Sequence, residues 1–112
     1  MAKRGRPHNS EIRNNIVELL FYLGEGYGYE ISKLYNKIFP KVTMRSVYYH
    51  LKKGISLGEI KMKEIKMEKG NYSWGSTVEK IYYSLGENAH PEGKEDVKRA
   101  VEEFKMQRLQ RE

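Results

Sequence analysis

The sequence predicts a mainly α-helical fold that also contains a small β-hairpin, which is an α+β arrangement. Three observations lead to this prediction. Apolar residues recur at helical spacing in three separate segments of the first half of the chain. From Ile60 to Met67 they instead alternate with Lys and Glu, as expected of a strand. Helical spacing returns after Pro91, which predicts a last helix reaching about Arg111.

The first two helices have recognisable ends. Asn9 or Ser10 is suited to cap the first helix, whose apolar stripe runs from Ile12 to Leu23 and is followed by glycines. The second helix is expected from Tyr29 to Phe39. Pro40 should end it, because proline disfavours helical geometry at the residue that precedes it.

The third helix is amphipathic, and Thr43 is suited to cap it. At 100° per residue, its apolar face comprises Met44, Val47, Leu51 and Gly54. The opposite face comprises Arg45, Tyr49, Lys52 and Lys53, with Ser46 at its flank. Tyr48 lies at the border and is assigned to the core. Gly54 is expected to weaken or end the helix.

A hairpin should follow the third helix. Its first strand shows a slip of phase at Glu64, which indicates a bulge, and 69–71 reads as a turn. Val78–Leu85 is the expected returning strand. Three helices followed by a two-stranded wing is the element order of a winged helix-turn-helix. We therefore predict a basic arm at 1–9, the winged helix-turn-helix domain at 10–88 and a C-terminal helix within 89–112.

The charge of the chain is concentrated in its first half. The net charge is +6, yet residues 59–112 contain equal numbers of basic and acidic residues. Between Ile31 and Gly58 there are six Lys or Arg residues and no acid. A solvated basic surface would be the simpler explanation, but such asymmetry favours one face that binds a polyanion.

Double-stranded DNA is the partner that this pattern predicts. Arg45 is suited to a guanine edge or a phosphate, whereas Lys52 and Lys53 are suited to phosphates. The predicted contacts of the third helix and the preceding turn are Lys41, Thr43, Arg45, Ser46, Tyr49, His50, Lys52 and Lys53. From the wing, Lys69, Asn71 and Tyr72 are predicted to reach the adjacent backbone or minor groove.

The N-terminal arm contains Arg4-Gly5-Arg6-Pro7, which resembles the core of an AT-hook. Glycine allows the backbone to lie on the floor of a narrow minor groove, where Arg4 and Arg6 would follow the negative potential. A disordered basic tail is the alternative interpretation.

Several short motifs resemble the PadR family of winged-helix transcriptional regulators. They are Gly28-Tyr29-Glu30-Ile31, the recognition-helix pattern of 46–53, Gly58-Glu59-Ile60 at the start of the wing and Tyr82-Tyr83-Ser84-Leu85. The resemblance covers about residues 12–90. It implies a dimeric DNA-binding regulator, often a repressor, whose C-terminal helix dimerises, here through residues 92–109. Gly54 departs from the pattern, since the family usually has a bulky aliphatic residue there; Ile55 is expected to take over its packing.

Other functions have less support from the sequence. A sequence-tolerant chromatin or RNA-binding protein and a winged-helix protein-interaction module remain alternatives. No cofactor, metal site or enzymatic activity is expected, because there is no Cys, one Asp, and no ligand-like spacing of the three His residues. No apolar run approaches the roughly 20 residues that span a bilayer. A cytoplasmic, nucleoid-associated, prokaryotic protein is therefore expected; the sequence does not indicate whether an effector binds.

Overall fold

The computed structural model describes residues 10–72 and 75–111 of the 112-residue chain. Within these ranges the chain forms four helices and three strands. The helices are α1 (Glu11–Leu23), α2 (Gly28–Ile38), α3 (Met44–Leu57) and α4 (Glu95–Arg111). The strands are β1 (Gly26–Tyr27), β2 (Ile60–Tyr72) and β3 (Gly75–Leu85), in the antiparallel order β1-β3-β2. This confirms the α+β winged helix-turn-helix prediction.

Local signals begin and end α1 and α2. Ser10 caps α1, because its side chain accepts a hydrogen bond from the N–H of Arg13 at 3.3 Å. Gly24 ends α1 with a φ of 88°, a backbone region that favours glycine. The helix α2 ends at Ile38, before Pro40, as predicted.

The core lies where α1, α2 and α3 meet the base of the sheet. Ile16, Leu20, Ile31, Leu51 and Ile60 are all buried there. Val97 and Val101 bring α4 into the same cluster, so this helix packs along the domain. Burial of this apolar surface is the main free-energy source that holds the elements together.

The wing is longer than predicted. Strand β2 continues through Tyr72, so the turn predicted at 69–71 is wrong. Lys69 pairs with Thr77 and Tyr72 with Gly75, and the register shifts between these two pairs. The clear alternation of apolar and charged residues ends at Met67, whereas hydrogen bonding to β3 carries the strand further. The predicted bulge is confirmed, since the register shifts between Met62 and Glu64. At about 3.3 Å per residue, a 13-residue strand extends about 40 Å.

The two-stranded sheet predicted from the sequence is in fact three-stranded. Gly26 and Tyr27 form β1 and pair with Tyr83 and Tyr82 of β3. A strand of two residues is too short to show alternation, so hydrophobic periodicity could not predict β1.

The last helix begins later than predicted. It starts at Glu95, and the preceding loop is held by the buried carboxylate of Glu18 in α1. That carboxylate accepts hydrogen bonds from the N–H groups of Glu92 at 2.8 Å and Lys94 at 2.5 Å. Pro91 therefore lies in the loop before α4. The N–H groups of Glu92 and Lys94 bond to Glu18 and not to a helical turn.

Candidate nucleic-acid interface

The helix α3 is continuous through Gly54 and ends at Gly58, which adopts the left-handed conformation with φ 79°. Of the two alternatives predicted for Gly54, that it weakens or ends the helix, the second is therefore wrong. Gly54 is required for another reason: a Cβ at this position would lie 2.6 Å from Cδ1 of the buried Ile60. Ile60 fills the space that a bulky residue at position 54 would occupy. Ile55 does not replace that packing, since it is exposed.

An uninterrupted α3 settles the pitch of its exposed stripe. Arg45, Tyr49, Lys52 and Lys53 are all exposed. Tyr49 follows Arg45 by four residues, Lys52 follows Tyr49 by three, and Lys53 is the next residue. This is the spacing of one helical face. No acidic residue occurs in α3. The structure thus brings together, on one surface, four of the residues that the sequence assigned to base and phosphate contacts.

Thr43 fixes the N-terminal end of α3. Its side chain accepts a hydrogen bond from the N–H of Ser46 at 3.0 Å, as expected of a capping residue. The turn before it is held by Asn36, whose side-chain oxygen accepts from the N–H of Val42 at 2.9 Å. Lys41 is exposed in this turn. Thr43, Ser46 and Lys41 therefore lie at the end of α3 where unpaired N–H groups favour anions.

The two tyrosines of α3 have different environments. Tyr49 is 61% exposed, and its ring meets His50 edge-on at a centroid distance of 5.0 Å. Tyr48, assigned to the core from the sequence, is 42% exposed. Its ring covers Gly28 at the start of α2, where a Cβ would lie 2.3 Å from the Tyr48 hydroxyl. Tyr48 thus packs α3 on α2 while it keeps one edge in solvent.

His50 is half-buried beside the stripe. Its Nδ1 is buried and has no hydrogen-bond partner in the part of the chain that the structure describes. Burial lowers the pKa of His50, and the positive charge of Arg13 lowers it further. A ring held neutral in this way is less suited to a phosphate contact than its exposed neighbours.

The C-terminal end of α3 is fixed by a polar cluster that the sequence did not predict. The buried Arg13 of α1 donates from Nε to Glu59 at 2.8 Å. The Asn88 side chain donates to the carbonyl of Leu57 at 3.0 Å. A signal for Arg13 was present, because it lies three residues before Ile16 and seven before Leu20, on the buried face of α1.

The remaining predicted contacts are only partly described. The backbones of Lys69, Asn71 and Tyr72 lie in the outer half of β2. Arg4 and Arg6, with the AT-hook-like motif, lie outside the described residues. Lys33 and Lys37 of α2 border a pocket next to α4. Among the described residues, no group of three or more His, Asp or Glu side chains could hold a metal ion. Across those same ranges, every helix is too short or too polar to cross a membrane.

Solved structures with the same architecture include two PadR proteins. A PadR family transcription regulator from Clostridium difficile is 24% identical, with 89% of this chain and 93% of that chain aligned and a TM-score of 0.51. The structure of Bacillus subtilis PadR in complex with operator DNA is 20% identical, with 87% of this chain and 48% of that chain aligned and a TM-score of 0.50.

The chain has a PadR-like winged-helix fold. This agrees with the motifs in its sequence. It spans about half the length of the B. subtilis protein. No protein-family model matches the sequence, and no curated protein matches it significantly.

Proposed function

We propose that the protein is a sequence-specific double-stranded DNA-binding regulator of transcription that acts as a homodimer in the cytoplasm of a prokaryotic cell. The observation that carries this proposal is the exposed, acid-free stripe of Arg45, Tyr49, Lys52 and Lys53 on α3. A helix of this kind is suited to the major groove of DNA. The fold supports the proposal, because B. subtilis PadR shares it and has been solved with operator DNA.

Each part of the surface has a role in this proposal. Arg45, near the start of α3, contacts a base edge, and Lys52 and Lys53 neutralise phosphates. Lys41, Thr43 and Ser46 contact the DNA backbone at the N-terminal end of α3. Tyr49 and His50 lie beside them. Lys69, Asn71 and Tyr72 contact the flanking backbone, and Arg4 and Arg6 follow the minor groove.

Dimerisation is proposed through the outward face of α4. Met106 and Leu109 are 59% and 68% exposed, lie three residues apart and point away from the side of α4 that packs on the domain. A two-fold dimer would bind a palindromic site with half-sites about one helical turn, roughly 34–36 Å, apart. Repression would follow where such a site overlaps a promoter.

Selection of binding sites from randomised duplex DNA tests the proposal. We expect enrichment of one palindromic sequence, together with affinity that falls steeply with salt. Equal retention of all sequences would favour the sequence-tolerant alternative, which the basic arm supports. Absence of salt-dependent DNA binding would favour a protein-interaction module.

Two substitutions separate base contacts from phosphate contacts. Arg45→Ala should weaken the selected site by about 1–3 kcal/mol and weaken random DNA much less. Lys52→Ala should weaken both alike and reduce the salt slope by about one per chain. Gel-shift titrations at several salt concentrations measure both effects. Identical losses for the two variants on selected and random DNA would contradict this assignment of roles.

A further inference from the structure

A pocket of about 340 Å³ lies between α2 and α4. Its lining comes from Tyr27 of β1 and from these two helices. None of the lining residues belongs to α3, so the pocket is separate from the surface proposed to bind DNA. Its chemistry is therefore available for a different ligand.

The pocket carries a net positive charge. Lys33, Lys37 and Arg108 line it together with a single carboxylate, that of Glu30. The Nζ of Lys33 lies 5.6 Å from the Tyr29 ring centroid, and the Nζ of Lys37 lies 5.9 Å from that of Phe104. Lys37 also donates to Gln107 in a long hydrogen bond of 3.4 Å. Contacts of this kind are weak, so an anion with two charges would offer these lysines stronger partners.

Glu30 adds a requirement for a hydrogen-bond donor. Its residue is only 7% exposed, and its Oε2 accepts from Arg108. Its Oε1 is buried and has no partner among the residues that the structure describes. A buried acceptor without a donor costs about 1–3 kcal/mol. This oxygen lies against Gly26, which does not line the pocket, so a ligand hydroxyl or amino group would reach it after a shift of the Glu30 side chain.

Aromatic side chains supply a third feature. Tyr29 is half exposed, and Phe104 is partly buried against the core. Flat rings stack on such surfaces, and base–aromatic stacking contributes about 1–3 kcal/mol per base. The volume is at the low end of the range of roughly 300–1,000 Å³ for ligand pockets, which suits one nucleotide rather than two.

We propose that this pocket binds a nucleoside monophosphate. The phosphate would be neutralised by Lys33 and Lys37, and by the N–H groups of Arg108 that Glu30 does not use. The base would lie against Tyr29 and Phe104. A ribose hydroxyl or a base amino group would donate to Glu30, as carboxylates accept from ribose in dinucleotide sites.

Calorimetric titration of the full chain without DNA tests this site directly. The probes are AMP and GMP, with adenosine, ribose 5-phosphate and inorganic phosphate for comparison. We expect saturable binding of at least one nucleotide, one per chain. The three partial compounds should bind about tenfold more weakly or worse, because adenosine lacks the phosphate, ribose 5-phosphate lacks the base, and inorganic phosphate lacks the whole nucleoside. Because no DNA is present, the result does not depend on the proposed function.

Substitutions then locate the ligand. Lys33→Gln should weaken nucleotide binding about tenfold, because it removes one charge-assisted contact. Lys61→Gln removes another exposed lysine, on β2 and away from the pocket, and should leave the affinity unchanged. The proposal fails if neither nucleotide saturates the protein, or if the two variants bind alike. Binding of inorganic phosphate as tight as that of the nucleotides would also overturn it, since the pocket would then be a simple anion site.

Discussion

At the residue scale, Gly54 shows how one missing side chain sets the position of the proposed recognition helix. Glycine inside a helix costs roughly 1 kcal/mol relative to alanine, so helix propensity alone would favour Ala here. The structure reverses this expectation, because Ile60 occupies the volume of a Cβ at position 54. Close approach of β2 to α3 therefore depends on this glycine.

Gly54→Ala should lower the free energy of unfolding by about 1–3 kcal/mol, in spite of the better helix propensity of alanine. Thermal or urea denaturation measures the loss. In an Ile60→Val background the same substitution should cost less, because the colliding Cδ1 atom is absent. Stabilisation by Gly54→Ala in the wild-type background would contradict the packing described for Ile60.

His50 is a second residue whose environment has a measurable consequence. Burial and the charge of Arg13 lower its pKa in the folded chain below the ordinary value of 6.5. The unfolded chain therefore binds the proton more readily than the folded chain does. This contribution to stability is intact above about pH 6.5 and is lost as the pH falls towards the lowered pKa.

Comparison of wild type with His50→Gln isolates this effect. Stability should fall more steeply between pH 7 and pH 5 in the wild type than in the variant, because the variant has no imidazole to protonate. Urea denaturation at several pH values measures the difference. Parallel pH profiles for the two proteins would rule out a lowered pKa at His50.

At the element scale, α3 is held at both ends by contacts to other parts of the fold. Its N-terminal half rests on Gly28 through Tyr48, and its C-terminal end is tied to α1 by Arg13 and Glu59. The elements themselves were predictable, because each helix has an apolar stripe and a cap or glycine near its ends. The contacts that position α3 were not predictable, since they join residues that are distant in sequence.

The Arg13–Glu59 pair should respond unequally to removal of each partner. The Arg13 side chain is 3% exposed and that of Glu59 is 24% exposed. Glu59→Ala leaves a buried guanidinium without its carboxylate and should cost about 3 kcal/mol. Arg13→Met leaves a carboxylate that solvent can reach, so it should cost less. Denaturation of both variants and the double variant measures this, and a larger loss for Arg13→Met would contradict it.

At the scale of the whole molecule, α4 has two faces with different surroundings. Val97 and Val101 are buried in the core, whereas Met106 and Leu109 are directed to solvent. A second copy of the chain is the occupant proposed for that outward face. Phe21 of α1 is a further large apolar side chain that is about half exposed.

Leu109→Lys should shift the protein from dimer to monomer, because it places a charge in the proposed apolar interface. Light scattering during gel filtration measures the mass, and DNA affinity for the palindromic site should fall with it. Ile65→Lys is the matched control, since Ile65 is an apolar residue exposed on the wing. A wild-type protein that is already monomeric would reject the dimer proposal.

The order of residues along the chain is enough to predict the helices, the bulged wing, the basic stripe of α3 and the fold class. These features depend on hydrophobic periodicity, helix caps and the distribution of charge, all of which are visible in neighbouring residues. The tertiary structure alone decided how far the wing extends, that β1 joins the sheet, and where α4 begins. It also decided that Gly54 lies inside α3, packed against Ile60. Those outcomes depend on contacts between distant segments, whose free energy overrides local propensity.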